Sequence, residues 1–346
     1  MIKLLIGGSP CTFWSIAQSA EKRETTAKGL GWELFKNYLI AKEKFKPDFF
    51  LYENNVSAAA AIKNQIKREL HVGESAKYIE INSNLVSAQN RKRFYVHNCG
   101  DVKQPEYRYI LLSDILESGK SLSDHEQSYC LTATYNGACA WNTLERHQRE
   151  MIAEPVCLYQ RPHGYNKGGI KYEKAPTLTS NANWENNNFV VEMWDGKTYP
   201  CYEVKNGIAS IKGKEYPISL ADGLYIFRKL TVKECCRLQT MPDDYCRAVS
   251  ATQAYKALGN GWTAEVIIHI LSEALKDIPK NEEIVVLSMY DGIGTGRYCL
   301  DKMGFKNVKY YAYEIDKFAM KIAMSNYPDI VQKGDAFQVR NSDWRI

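Results

Sequence analysis

The chain has 346 residues, 45% hydrophobic and 25% charged, the balance of a globular protein large enough for two domains or for one α/β domain with an insertion. Its ten cysteines lack Cys-x-x-Cys pairs and its opening apolar run is only five residues long, so no disulfide scaffold, zinc site, signal peptide or membrane span is expected. The expectation is a cytosolic chain with reduced thiols, no bound metal and no membrane partner, and its net charge of +5 is unevenly spread. Residues 1–96 carry 15 Lys and Arg against 9 Asp and Glu, residues 97–227 carry 13 against 16, and the last 119 carry 17 against 15. The first segment is therefore the basic one, as a nonspecific grip on phosphates requires. A solvated helix face bearing Lys63, Lys67 and Arg68 would give the same count.

Residues 3–7 read as a buried strand running into Gly7-Gly8-Ser9-Pro10-Cys11, which places a thiol at the edge of a sheet. A cysteine in such a place is by itself more often a small buried hydrophobe than a nucleophile. A polar segment, 12–28, follows. Helical patterns over about 31–44 and 57–69 then alternate with strands at 48–52 and 77–81, the βαβ rhythm of a largely parallel sheet. The strand at 48–52 delivers Glu53 at its carboxyl end, where open α/β sheets place their sites. In Gln89-Asn90-Arg91-Lys92-Arg93-Phe94-Tyr95, an extended chain sends Gln89, Arg91 and Arg93 to one face.

From about 97 to 227 short apolar pieces are punctuated by Asn136-Gly137, Gly168-Gly169 and Asn206-Gly207, which predicts a separate strand-rich lobe; a helical period extends only over about 142–152. Asn181-Ala182-Asn183-Trp184 and Asn186-Asn187-Asn188 offer partners for base edges, or plain solvated turns. Thr231-Val232-Lys233-Glu234 is a capping box, so Glu234 and the nearby Arg237 read as structural. Thr263 is expected to cap a helix whose core stripe is Val266, Ile267, Ile270 and Leu271. Strands are predicted at 284–289, 308–313 and 330–333. Gly292, Gly294 and Gly296 lie between the first of these and a helix, and Glu314 ends the next strand, 18 residues beyond Gly296. That spacing suits a dinucleotide and S-adenosylmethionine equally.

With Pro10-Cys11, Glu53-Asn54-Asn55 and Gln89-x-Arg91-x-Arg93 in this order, the chain resembles the DNA cytosine-5 methyltransferase family. Arg228-Lys229-Leu230-Thr231 through Arg237-Leu238-Gln239 matches the family's Arg-x-Leu-Thr-x-x-Glu-x-x-Arg-Leu-Gln segment, and Gly259-Asn260 matches its Gly-Asn segment. Ser288-Met289-Tyr290-Asp291-Gly292-Ile293-Gly294-Thr295-Gly296 comes last, whereas most members carry the cofactor motif first. The resemblance thus implies a circularly permuted class I S-adenosylmethionine-dependent methyltransferase: an α/β, doubly wound, mostly parallel sheet with an inserted smaller target-recognition domain. The implied boundaries are 1–96 for the catalytic part, 97–227 for target recognition and 228–346 for the remainder with the cofactor motifs. Gly-Gly-Ser-Pro-Cys and Asp-Gly-Ile-x-Thr-Gly look most like the animal de novo DNA methyltransferases.

What the resemblance implies is methyl transfer from S-adenosylmethionine to carbon 5 of cytosine in double-stranded DNA at a specific sequence. Cys11 would add to carbon 6, Glu53 would hold or protonate ring nitrogen 3, and Arg93 with Arg91 would bind the carbonyl oxygen and phosphate. The base would swing out of the duplex, with the 12–28 segment, including Ser15 and Gln18, closing over the gap. The implied cofactor contacts are Tyr290, Asp291, Gly292, Ile293, Gly294, Thr295 and Gly296, then Glu314 at the ribose, Asp335 at the adenine and Trp262 towards the methionine end, together with Ile315, Ala336 and Asn260. One chain carries every motif, so a monomer or weak homodimer suffices, and a cognate restriction enzyme is compatible with this class. Two alternatives stand beside this reading. One is the tRNA-methylating branch, whose Cys-Phe-Thr signature is not visible. The other is a silent DNA-binding relative, which would have no need of Cys11, Glu53, Arg93 and the glycines together.

Overall fold

The structure is a computed structural model that describes residues 1–15, 21–156, 165, 167 and 201–346, together with the backbone of 158–160, 169–171 and 188–190. The first stretch forms β1 (Ile2–Gly7), α1 (Leu30–Phe45), β2 (Phe49–Asn55), α2 (Ala60–Glu69), β3 (Lys77–Asn82) and β4 (Lys92–His97). The middle contains α3 (Leu112–Ile115), β5 (Lys120–Ser121), α4 (Ala140–Leu144), β6 (Met151–Pro155), β7 (Leu158–Gln160), β8 (Gly169–Lys171) and β9 (Asn188–Val190). It continues through β10 (Cys201–Lys205), β11 (Ile208–Ile211), β12 (Lys214–Pro217) and β13 (Gly223–Lys229). The last stretch supplies α5 (Val232–Leu238), α6 (Ala251–Asn260), α7 (Ala264–Ala274), β14 (Ile284–Met289), α8 (Thr295–Lys302), β15 (Val308–Tyr313), α9 (Lys317–Asn326) and β16 (Val331–Gly334).

Seven strands form the main sheet in the order β16-β15-β14-β1-β2-β4-β3. The five from β16 to β2 are parallel, while β4 runs antiparallel to both of its neighbours. Alternation along β1 explains the layering: Leu4 and Ile6 face a core built with α5 to α9, and Leu5 faces one built with α1 and α2. Helices thus cover both faces, and the chain winds outward in opposite directions from the β14/β1 pair. That reversal point is where a doubly wound sheet opens a crevice at its carboxyl edge. The middle stretch adds an antiparallel sheet, β12-β11-β10-β13-β6-β5, with its own core of Leu122, Met151, Val204, Ile211, Tyr216 and Phe227 among others, and a three-stranded sheet, β8-β7-β9. No helix among the described residues is long and apolar enough to cross a membrane.

Two local expectations are corrected. The helical period at 142–152 yields only α4, ending at Leu144, because Glu145 to Arg149 offer no apolar face; His147 and Arg149 take positive φ, and Met151–Pro155 pairs with β13 instead. Thr263 does precede α7, but its hydroxyl donates to Gln239 Oε1 at 2.9 Å and accepts from Ser83 Oγ at 3.0 Å, so it ties elements together and makes no cap bond. The Thr231–Glu234 capping box forms as read. Glu234 also receives Arg228 on both oxygens, each at 2.8 Å, in a fully buried setting. Arg228→Met should therefore strand a buried carboxylate and cost about 3–5 kcal/mol of stability, measured as a lower urea midpoint.

Candidate active site

Gly7 and Gly8 let the end of β1 fit between its neighbours. A Cβ on Gly7 would lie 2.5 Å from the Met289 carbonyl oxygen of β14, and one on Gly8 would lie 2.6 Å from the Glu53 carbonyl oxygen of β2. Beyond them, Asn54 Nδ2 donates to the Ser9 carbonyl at 2.9 Å, and the Ser9 and Tyr52 hydroxyls share a bond of 2.8 Å. These contacts pin the Ser9-Pro10 turn to β2, and Cys11 opens a short 3-10 turn, Cys11–Phe13, directly after it. Cys11 is partly exposed. Burial pushes its thiol above the usual cysteine range, against the pull of Arg93.

Glu53 and Arg93 meet across the antiparallel β2/β4 pair, with Arg93 Nε 3.0 Å from Oε1 and both side chains about nine-tenths covered. The other carboxylate oxygen, Oε2, accepts from Trp262 Nε1 at 3.1 Å. Arg91 has a different environment. Its Nη1 donates to the Leu131 carbonyl at 2.9 Å, its Nη2 to the Gly261 carbonyl at 2.7 Å and to Gly259 at 3.3 Å. Gln89, on the same face, donates to the Leu238 carbonyl at 2.7 Å. The structure therefore brings Cys11, Glu53 and Arg93 together and places Arg91 beneath them as a clamp.

Several partners in this neighbourhood were given no role by sequence reasoning. Cys130 Sγ accepts from Arg91 Nη1 at 3.4 Å; burial would raise its thiol, but Arg91 and Arg93 outweigh burial and hold it below the usual range. Gln239 donates to the Leu258 carbonyl at 2.6 Å and so fixes the end of α6. Glu24 receives Trp14 Nε1 at 3.0 Å and the Gly31 amide at 3.1 Å, tying both ends of the segment after Cys11 together. Ser15 lies beside Cys11, its amide bonded to the Cys11 carbonyl at 2.9 Å. Gln18, Asn181 to Trp184 and Asn186 to Asn187 lie outside the described residues, as do the side chain of Asn188 and all of Gly168.

The carboxyl ends of β14, β15 and β16 line the other side of the crevice. Gly292, at φ +66 with open space where a Cβ would be, donates its amide to Glu314 Oε2 at 2.9 Å, while Oε1 accepts from the Ile315 and Asp316 amides. Gly294, at φ +78, caps α8. Thr295 starts that helix, and Gly296 lets it sit against Ile6 and Tyr310. The Ile293 carbonyl accepts from Tyr245 at 3.0 Å, and the Tyr290 hydroxyl donates to the Leu34 carbonyl of α1 at 2.7 Å. Ile315, an apolar side chain next to Glu314, is 75% exposed. Asp335 accepts from the Phe337 amide at 2.9 Å and leads into buried Ala336, while Asn260 is exposed at the end of α6. Among the described residues no group of three or more His, Cys, Asp or Glu could hold a metal ion.

A mostly parallel sheet wound outward from one strand pair, with a glycine turn after β14 and a thiol turn after β1, is the α/β fold of class I methyltransferases. The chain belongs to the family of C-5 cytosine-specific DNA methylases, whose family model matches residues 1–276, and is by that membership a DNA cytosine-5 methyltransferase. Similar proteins include the Type II methyltransferase M.Bpa9945I of Bacillus paralicheniformis, 23% identical over 324 residues, covering 80% of this chain and 71% of its own. The Type II methyltransferase M.FnuDI of Fusobacterium nucleatum is 24% identical over 291 residues, covering 81% and 78%. The solved S. pombe Dnmt2 methyltransferase aligns at 15% identity with a TM-score of 0.40, covering 79% of this chain and 77% of its own.

One carboxyl group in the crevice carries a pH signature. Burial pushes Asp291 up to about 6, although the Tyr310 and Ser288 hydroxyls donate to its Oδ1 at 2.6 and 2.7 Å. A raised folded-state value favours the neutral acid, so the associated stabilisation is present at acid pH and is lost as pH climbs through about 6. Asp291→Asn should remove that dependence. The stability difference between variant and wild type should shift in the variant's favour by about 2 kcal/mol between pH 4 and 8, measured by urea unfolding of the ligand-free protein.

Proposed function

We propose that the chain transfers the methyl group of S-adenosylmethionine to carbon 5 of a cytosine flipped out of double-stranded DNA, through a covalent bond to Cys11. The observation that carries this reading is the meeting of Cys11, Glu53 and Arg93 at the ends of β1, β2 and β4, one strand away from the glycine turn of β14. Carbon 5 of cytosine is too weak a nucleophile to take a methyl group unaided. Addition of the Cys11 sulfur at carbon 6, with a proton delivered to nitrogen 3, turns carbon 5 into the end of an enamine. Glu53 supplies or holds that proton and accepts from the exocyclic amine, and Arg93 offsets charge at the neighbouring carbonyl oxygen. With carbon 5 methylated, water or a nearby base takes the carbon 5 proton, the 5,6 double bond re-forms and the Cys11 sulfur leaves as thiolate.

The residues around β14 fit the cofactor. The orphaned, buried Oδ2 of Asp291, the open backbone at Gly292 and the exposed Ile315 beside Glu314 form a cradle with a polar floor and an apolar lip. Bound there, S-adenosylmethionine would supply an electrophilic methyl group facing the thiol turn. Glu314 would meet the ribose with Ile315 against the base, and Asp335 with Ala336 would lie at the adenine. Tyr290 to Gly296 would surround the methionine and ribose, and Asn260 with Trp262 would close the methionine end.

The remaining assignments rest on position. Residues 97–227 are read as the target-recognition domain inserted between 1–96 and 228–346, and the closing segment after Cys11 as the part that fills the duplex when the base leaves. A circularly permuted order is supported by β14, late in the chain, pairing directly with β1, and by a family match that stops before β14 begins. Arg91 is read as a positioning residue, since its donors are bound to carbonyls.

Incubation with labelled S-adenosylmethionine and either duplex DNA or total tRNA, followed by digestion to nucleosides, tests the proposal. Label should appear as 5-methylcytosine in DNA, and Cys11→Ala should reduce the rate by at least about 1,000-fold. Label confined to tRNA, or none in either, would overturn it.

A further inference from the structure

Glu53 is held by two donors of different origin. Arg93 Nε approaches Oε1 at 3.0 Å from the neighbouring strand, and Trp262 Nε1 donates to Oε2 at 3.1 Å from a loop 209 residues away. A carboxylate offers about four acceptor positions, two on each oxygen. With one position on each oxygen filled, each keeps a second for a base, one to exchange a proton with ring nitrogen 3 and one to accept from the exocyclic amine.

The placement of the indole is over-determined. Arg91 binds the carbonyls of Gly259 and Gly261, and Gln239 binds those of Leu258 and Gly261. A Cβ on Gly259 would fall 2.1 Å from the Thr132 carbonyl carbon, so only glycine lets the strap at Leu131 to Ala133 lie against the loop. On its other side, Gly261 lies against Ile293 of the cofactor turn. The loop therefore touches both halves of the crevice, and among the described residues Trp262 bonds to the reacting side through Glu53.

We propose that Trp262 is a positioning residue for Glu53: its indole N–H fixes the plane of the carboxylate so that the free acceptor positions face the cytosine ring, and it ties that plane to the wall of the cofactor crevice. This rests on the role of Glu53 proposed above, and it assigns Trp262 a function distinct from lining the methionine end.

Trp262→Phe keeps a large ring and deletes only the N–H. Steady-state kinetics on duplex DNA should show kcat lowered by about tenfold or more, as for loss of a hydrogen bond to a charged group, with KM for S-adenosylmethionine within about twofold of wild type. Single-turnover rates in a double-mutant cycle should show that Trp262→Phe adds little on top of Glu53→Gln, because its effect passes through that carboxylate. Unchanged kcat, or a raised KM with kcat intact, would overturn the inference and leave Trp262 a lining residue. Full losses from both variants that multiply would do so as well. Wild-type turnover by Glu53→Gln would instead remove Glu53 from the mechanism. Trp262→His, which retains a ring N–H, guards against loss of fold: it should recover part of the rate, and equal rates for Phe and His variants of matched melting temperature would contradict the proposal.

Discussion

The guanidinium group of Arg91 holds the site together from below. It binds carbonyls of Leu131, Gly259 and Gly261, segments that lie 40 to 170 residues further along the chain. Buried carbonyls need donors, and an arginine with five N–H groups in a fixed fork can serve several at set angles. The consequence runs upward: the strap bearing Cys130 is fixed against β4, the loop bearing Trp262 is fixed against the cofactor turn, and Glu53 is held between Trp262 and Arg93. Cys11 then needs only the short turn pinned by Asn54 to face that carboxylate.

The charge pattern follows from the same contacts. Two guanidinium groups sit beside one carboxylate and two thiols, and the thiols respond in opposite directions. Cys130, touching Arg91, is drawn below the usual range, whereas burial keeps Cys11 above it.

Much of the sheet was legible because strands buried on both faces leave continuous apolar runs. Ile284–Met289 and Val308–Tyr313 were bounded to the residue, and β1, β2 and β3 to within a few. The grouping of Cys11, Glu53 and Arg93 could be anticipated because each lies near or just beyond the end of a strand of the main sheet. Arg91 was harder to read, since alternation gives the face of a strand but not the depth of a side chain: Arg91 and Arg93 share a face, yet one meets carbonyls and the other meets Glu53. The bond from Trp262 to Glu53 leaves no trace in a sequence where the two are 209 residues apart. The polar run after Leu144 showed a helical period, but Met151–Pro155 gained more from pairing with β13.

The claim on which the whole account turns is that Cys11 forms the covalent bond to the base. Duplex DNA carrying 5-fluorocytosine at the methylated position tests it directly, because fluorine at carbon 5 cannot leave as a proton does and the adduct persists. Intact-mass spectrometry after incubation with S-adenosylmethionine should show one DNA strand and one methyl group joined to the protein, and peptide mapping should place the link at Cys11. Absence of any adduct with a duplex the enzyme otherwise methylates, or a link at another residue such as Cys130, would contradict the account.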